Sequence, residues 1–537
     1  PPDGMVSDYP VLFTAYDPCA ALDPTIAQIQ GSGPTAAITG PVDTKGVVTA
    51  DFEGTARLGG FYLQDPVGDA DPATSEGIFV YTGSADTVSV GQRVRVSGYA
   101  RERYDQTTLN SADSNTAAVS AASIRACGTG TVPNPTPVTM PLTDPERHEG
   151  MRVTFGQTLQ VADSYDFGRY GEVTLALPLP GEARLFTGTQ AEAPGAAAVV
   201  REQANAQRRI ILDDTYSAQN PTTLFHPNGN PFSLLNTFRL GDTVTDEVGV
   251  LGYGFSAYRV YPTGPATYTS AGARPTTPTI DGMRIATLNA GNFFLTGNSG
   301  AAVCGPNQDQ LCRGWDTSEP TELTRQRTKL LAALRGLDAD IIGVNEVENT
   351  PGVSPLADLV SDLPGYAFID TGLLGTDVIR NGLLYRTAAV TPVGPAKALD
   401  QVGSRPSLAQ TFRDTQDEVF TVVVNHFRSK GSPCAGDPDL GDGQGNCNLT
   451  RTAAAKALVD WLATDPTGSG DPDLVVLGDL NAYSQEDPVR AIEAGADGQA
   501  GTADDFVDLA GGQWSYVFDG QAGSLDHGFV SKSLLAS

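Results

Sequence analysis

From residue 283 onward, short apolar runs keep stopping on a single carboxylate, amide or imidazole, and few folds accommodate that pattern. Met283 to Leu288 stops at Asn289, and Asp340-Ile341-Ile342-Gly343-Val344-Asn345 stops at Glu346. Val419 to Asn425 stops at His426, and Leu474 to Leu477 runs into Gly478-Asp479. Such runs, rich in β-branched residues, predict buried strands. Between them, Leu323, Leu330, Leu331, Leu334 and Leu337 fall at helical spacing, with Gly336 as the stop signal. Arg451 to Leu462 reads as a second helix. Strands alternating with helices predict an α/β fold, which gathers its functional groups where strands end.

The first half is different. With 60 Gly and 37 Pro in 537 residues, the chain favours short strands and turns over long helices. Lys45 to Ala50, Gly60 to Asp65, Gly77 to Tyr81 and Val88 to Tyr99 read as strands, the last with Val94 and Val96 alternating inward. Their order looks like a small oligonucleotide/oligosaccharide-binding barrel over residues 31–130. Leu240 to Val244 followed by Val248 to Tyr253 echoes the Gly91 to Tyr99 stretch, a weak repeat that predicts a second β-rich unit over 136–270. Residues 1–30 show no regular pattern, and Thr267 to Thr279 reads as a linker. The α/β region then spans 282–537.

Six cysteines fall in order as Cys19 with Cys127, Cys304 with Cys312 and Cys434 with Cys447. Six allow about fifteen connectivities, so order alone does not decide the pairing, but the even number points to disulfides and an oxidising, extracellular compartment. No stretch is long and apolar enough for a transmembrane helix. The chain opens at Pro1-Pro2-Asp3 without a Met, basic region or apolar signal core, and a leader already removed would leave no trace. The formal net charge is −29, and from Asp281 onward 17 Lys/Arg stand against 34 Asp/Glu. Charge of this sign repels a polyanion at long range and by itself argues against nucleic acid. A divalent cation bound at a site would neutralise it locally.

The chemistry-bearing residues gain force from their order: Asn289; Gly-Val-Asn-Glu-Val-Glu-Asn with Glu346; Asn425-His426-Phe427-Arg428-Ser429-Lys430; Gly478-Asp479-Leu480-Asn481; Ser524-Leu525-Asp526-His527. Here residues 282–537 resemble the endonuclease/exonuclease/phosphatase (DNase I-like) superfamily. More narrowly, the chain resembles bacterial extracellular nucleases that carry an oligonucleotide-binding-type barrel before that domain. The resemblance implies an α/β four-layer sandwich preceded by β-rich barrel units. It also implies roles. Glu346 would be the principal ligand of Mg²⁺ or Mn²⁺, which take oxygen donors. Asn289 would order the metal and the phosphate. Asp479 would orient or deprotonate the attacking water, Asn481 would hold a phosphate oxygen, and His426 would donate to the scissile phosphate. Asp526 would assist proton traffic.

One departure matters. The family closes with a further strand carrying an Asp-His or related pair, and the chain stops at Ser537 before it. His527 then either stands for the family's aromatic residue beside that aspartate or serves as a catalytic histidine itself. Glu348, two residues beyond Glu346, would share the cation if the strand continues unbroken, or else be a surface carboxylate. Asp437, Asp439 and Asp442 resemble a calcium-binding loop, although the spacing does not fit a full helix–loop–helix site. Arg380, Arg428 and Arg451 are candidate phosphate contacts against the alternative of ordinary surface arginines. His148 and His226 have no catalytic role. Phe61, Tyr62, Tyr81 and Tyr99 could stack on bases, with core packing preferred for at least half of them. The expected function is a secreted metal-dependent nuclease that cuts DNA, with RNA as a further substrate, endonucleolytically and leaving 5′-phosphates. The alternatives are a phosphoesterase acting on lipid or sugar phosphates, and a non-catalytic surface or matrix-binding protein. No protein partner is expected.

Overall fold

The computed structural model describes residues 19–20, 24–272, 282–401, 403–509 and 511–536. Most of the expected N-terminal segment and residues 273–279 of the expected linker lie outside them. Residues 1–183 and 207–273 cluster as one compact unit, and 184–206 with 274–537 as a second. The boundary expected near 282 therefore misses one stretch: residues 184–206, taken as part of the second β-rich unit, pack into the C-terminal one.

In the first unit, Thr25 caps the short helix Ile26–Gln30, its side chain accepting from the Gln28 amide while the Gln28 side chain accepts from Thr25 N–H. That reciprocal cap turns Ile26 and Ile29 into the apolar core with Phe61, Leu63, Val94 and Val96. The strands Gly40–Phe52, Gly60–Gln64, Gly77–Tyr81, Thr107–Asn110 and Gln92–Glu102 pair in that order, and the last closes on the first. The result is the closed five-stranded barrel anticipated from the sequence. Phe61 and Tyr62 are fully buried, which removes them as base-stacking surfaces, while Arg103 lies over the Tyr81 ring at 4.0 Å. The next strands form a nine-stranded sheet whose order is unlike the barrel's, so the weak repeat seen in the sequence does not extend to the topology. Thr267–Thr269, read as linker, pairs with Thr243–Thr245 at its edge.

Beside that edge pair lies Glu247, 1% exposed, with both carboxylate oxygens lacking a hydrogen-bond partner. Burial pushes its carboxyl from the usual 4.5 up to about 8. Between those values the unfolded chain ionises while the folded one keeps its proton. Stability should therefore fall as pH climbs from about 4.5 to about 8, by up to about 1.4 kcal/mol per pH unit, and level off above. Glu247→Gln should flatten that slope and raise the melting temperature at alkaline pH, read by thermal unfolding across the range. An unchanged slope would place the titration elsewhere.

The second unit builds two sheets. One orders Ile285–Phe293, Ile341–Glu348, Ile379–Arg386 and Tyr366–Phe368; the other orders Val390–Leu399, Ser407–Asp414, Val419–His426, Leu474–Asp479, Asp526–Ser531 and Phe506–Asp508. Their inner faces meet through Ile341, Leu383, Leu408, Val422, Val424, Leu477 and Val530. They approach closely at Gly343, where a Cβ would lie 2.3 Å from Leu477. The helices Thr321–Leu337 and Pro355–Ser361 cover the outer face of the first sheet, and Asn448–Leu462 and Asp487–Glu493 that of the second. This is the four-layer α/β sandwich. The first long helix does not stop at Gly336; it ends where Asp338 turns left-handed (φ 48°) and accepts from Arg284 and Arg386.

All six cysteines are joined: Cys19–Cys127, Cys304–Cys312 and Cys434–Cys447. Among the described residues, no helix is long and apolar enough to cross a membrane. The stretch 184–206 is held by polar contacts. Thr189 Oγ1 donates to Glu486 (2.7 Å), Ser524 N–H to Gln190 (2.9 Å), Asn205 Nδ2 to Gln521 (2.5 Å), and Gln521 Nε2 to Glu202 (2.8 Å).

Candidate active site

Two parallel strand pairs, one per sheet, bring the polar strand ends together. In the first sheet Asn289 registers with Asn345; in the second His426 registers with Asp479, which registers across with Asp526. The Ile341–Glu348 strand carries a bulge. Val344 pairs with Gly382 and Val347 with Arg380, so Asn345 and Glu346 together face one residue, and Glu346 adopts φ 59°. This breaks the two-residue alternation and sends neighbouring side chains to separate tasks. Glu346 accepts from Asn289 Nδ2 (3.2 Å) and from Asn292 N–H (2.9 Å). Glu348 accepts from the amides of Leu295 and Thr296 and is fully buried. The bulge thus corrects the expectation that Glu348 shares a cation with Glu346.

Asn345 is the partner that sequence reasoning quoted but gave no role. Its amide donates to Asn381 Oδ1 (2.8 Å) and to the Asn425 carbonyl (2.9 Å), and its oxygen accepts from Asp479 N–H (3.2 Å). Asn381 donates to Pro406, and Ser407 donates to Asn425 Oδ1. These amides are wholly buried and satisfy one another, a polar tier that fixes the strand ends beneath the site. Asp479 Oδ2 accepts from Asn289 Nδ2 (3.1 Å), and its other oxygen accepts from Asn481 N–H (2.8 Å). Asn481 donates to the Phe427 carbonyl (3.1 Å).

His426 Nε2 stands 3.8 Å from Glu346 and 3.7 Å from Asp479. Arg405, another residue missed from sequence, lies 3.3 Å from the same nitrogen, donates to the Phe427 carbonyl and is paired with Asp377 at 3.0 Å. It precedes its strand inside Ser-Arg-Pro-Ser, with no periodic signal to mark it. Burial, then the charges of Arg405 and Arg313, hold the His426 ring well below its usual value, so it is neutral at pH 7. Burial, then the neighbouring Asp526 carboxylate, pushes Asp479 up to about 7; burial also raises Asp526.

The residues suit a divalent cation. Ligand atoms of Glu346, His426 and Asp479 all lie within 4.8 Å of one another. Asp526 Oδ1 and His426 Nδ1 are buried without a partner, and the Asp479 and Asp526 carboxyls, both raised, converge with Glu346. Oxygen-rich donors of this kind match Mg²⁺ or Mn²⁺.

Other expected residues lie elsewhere. His527 points to the opposite face of its strand from Asp526, stacked on Phe529, with Nδ1 2.9 Å from Asp508 and Nε2 2.8 Å from the Ala482 carbonyl. Both nitrogens are engaged and the residue is 1% exposed, so it braces the sheet and is corrected out of the catalytic set. Asp437 accepts from the Leu449 and Thr450 amides at the start of a helix; Asp439 and Asp442 accept from Gly441 and Gln444 two residues on. These local turns and caps replace the calcium loop suggested by the spacing. Arg451 is fully buried and donates to the carbonyls of Arg428, Asn446 and Gln444, which corrects its reading as a phosphate contact. Arg428 is half-buried, and Arg380 is 4% exposed and donates to Thr371.

Residues 286–536 match the sequence profile of the Endonuclease/Exonuclease/phosphatase family, and residues 130–271 that of a Domain of unknown function (DUF8508). No curated protein matches the chain significantly. Similar solved structures include a mannosyl-6-phosphatase of Bacteroides thetaiotaomicron, at 16% identity over 47% of this chain and 86% of that one, with a TM-score of 0.33. An endonuclease/exonuclease/phosphatase from Bacteroides vulgatus shows 14% identity, 47% and 87% coverage and a TM-score of 0.30. Humanized D. rerio TDP2 shows 13%, 46%, 83% and 0.31. With the strand-end carboxylates, the imidazole and the four-layer sandwich in place, residues 286–536 carry the match to the Endonuclease/Exonuclease/phosphatase family, whose members hydrolyse phosphoester bonds.

Proposed function

We propose that the chain is a secreted, divalent-metal-dependent nuclease that hydrolyses phosphodiester bonds of DNA, and of RNA as a second substrate, by in-line attack of water within the strand, leaving 5′-phosphates. The observation that carries this is the convergence of Glu346, Asp479, Asp526 and a neutral His426 at the ends of strands from two sheets. Glu346 would hold Mg²⁺ or Mn²⁺, with Asp479 and His426 near enough to share it. When bound, the cation offsets the charge of the phosphate and polarises its ester. Asp479, held near 7, takes the proton of the attacking water, and Asp526 beside it passes that proton on. A neutral imidazole at His426 donates a hydrogen bond to a phosphate oxygen as charge builds there. Asn289 and Asn481 orient these groups. The three disulfides support an oxidising, extracellular setting.

Incubation with supercoiled plasmid tests the reading. Mg²⁺ or Mn²⁺ should give open-circular product, and EDTA should suppress it by at least about a thousandfold, the scale of a lost metal's electrostatic contribution. Intact plasmid with every cation would sink the nuclease assignment.

A further inference from the structure

An acidic enzyme acting on a polyanion needs some local positive surface, and the unit carries one that neither the sequence motifs nor the catalytic cluster includes. A cavity of about 320 Å³ is lined by Arg313, Trp315, Arg325, Gln326, Lys329 and Asn292, at the lower end of the size range of ligand sites. Arg325 and Lys329 are one turn apart on the Thr321–Leu337 helix, both exposed, and neither makes an ion pair or hydrogen bond with any described residue. The lining's single acid, Glu322, is engaged by the Asp316 N–H (2.9 Å).

Two features preorganise this wall. The Cys304–Cys312 disulfide anchors the chain directly before Arg313. The Trp315 Nε1 donates to the Leu295 carbonyl (3.3 Å), and its ring packs so tightly on Gly297 that a Cβ there would lie 2.9 Å from it. Gln326 donates to the Gly291 carbonyl (2.9 Å). Gly291 and Asn292, both left-handed, form the irregularity between Asn289 and Phe293 in their strand, and Asn292 N–H is the donor to Glu346. The cavity and the catalytic carboxylate therefore share one piece of backbone.

We propose that this cavity is a subsite for the nucleic-acid strand flanking the cut, Arg313, Arg325 and Lys329 taking backbone phosphates and the Trp315 ring a base. The inference rests on the nuclease reading of the adjoining site. Two unpaired cations, Arg325 and Lys329, beside an indole match the chemistry of a phosphodiester strand, in which phosphates and π-faces alternate, and Arg313, 3.7 Å from Asp377, adds a third. From Asp281 onward acids outnumber bases two to one, and a lining with three cations against the one carboxylate of Glu322 gives the strand a path that the rest of the surface opposes.

Fluorescence anisotropy of a fluorescein-labelled single-stranded DNA oligonucleotide, in EDTA and at rising salt, tests it. The Arg325→Ala/Lys329→Ala double variant should bind at least about tenfold more weakly, with the slope of log Kd against log salt reduced by about 1.4, the share of two single-strand phosphate contacts. Lys397→Ala/Arg413→Ala removes the same charge from exposed positions on two strands of the second sheet and should bind as the unaltered protein does. Equal affinity in all three, equal weakening in both variants, or no binding by the unaltered protein would each overturn the subsite. Plasmid cleavage measured in parallel separates the two ideas. A protein that binds through this pair but never cuts retains the subsite and loses the nuclease reading.

Discussion

Asp479→Asn should lower the rate of phosphodiester cleavage by about a thousandfold, within the range expected when a positioned proton acceptor is lost, while leaving the fold intact or more stable. The geometry predicts both halves. Asparagine keeps an oxygen for the Asn481 N–H and the same volume, and Asn289 Nδ2, losing its acceptor at Asp479, keeps the one at Glu346. It also removes a buried carboxylate that stands across the strand pair from Asp526, where burial and that neighbour hold Asp479 up to about 7. In the metal-free protein, this raised value means that stability falls as pH climbs from the usual carboxylate range through about 7, and the variant should lose that dependence. Single-turnover cleavage and thermal unfolding on the same preparations give the answer. A proportional loss of activity and melting temperature would make Asp479 structural rather than catalytic.

The largest effect on stability is expected at its neighbour. Gly478 has φ 129°, a region that side chains rarely occupy, and a Cβ there would lie 2.0 Å from the Asn425 carbonyl oxygen. That atom belongs to the backbone of the parallel partner strand and has no rotamer by which to yield. Gly478→Ala should therefore cost about 3–5 kcal/mol, combining backbone strain with overpacking. For a unit of this size that is a fall of roughly 10 °C in melting temperature. Denaturant unfolding should show the loss, and an unchanged midpoint would mean that the two strands do not approach in this register. The clash also explains why a glycine precedes Asp479: only without a side chain can the strand end draw near enough for Asp479 N–H to reach Asn345.

The strand ends and most of the residues that the fold brings together at the candidate site were legible because apolar period and polar termination are local signals. His426, Asp479 and Asp526 each close or open a strand, Asn289 and Glu346 sit at irregularities near the ends of theirs, and the two-sheet fold does the gathering. Features that depend on non-local geometry were not legible. Strand alternation put Glu348 beside Glu346, but a single-residue bulge turned it toward the Leu295 and Thr296 amides. Arg451 and Arg405 look alike in sequence; one is consumed by three carbonyls at a helix start, and the other reaches His426 from a turn. The acidic run Asp437 to Asp442 has the composition of a cation loop, and backbone amides claim its carboxylates instead. Gly336 was a reasonable stop, yet the helix runs one residue further because Asp338 can turn left-handed while pairing with two arginines.

Residues 184–206 carry a consequence for how this protein is made and cut. Asn205 meets Gln521 across 316 residues of chain, and Thr189 meets Glu486 across 297. During synthesis the stretch emerges long before its partners, so this part of the unit assembles late and through contacts of very high sequence separation. An excised fragment beginning at 282 would leave a piece of its unit behind. Glu486, fully buried and already holding one oxygen without a partner, would lose the Thr189 hydroxyl and keep only its pairing with Lys430. The compact unit here is not a contiguous segment, and a stretch encoded within the β-rich half packs into its neighbour.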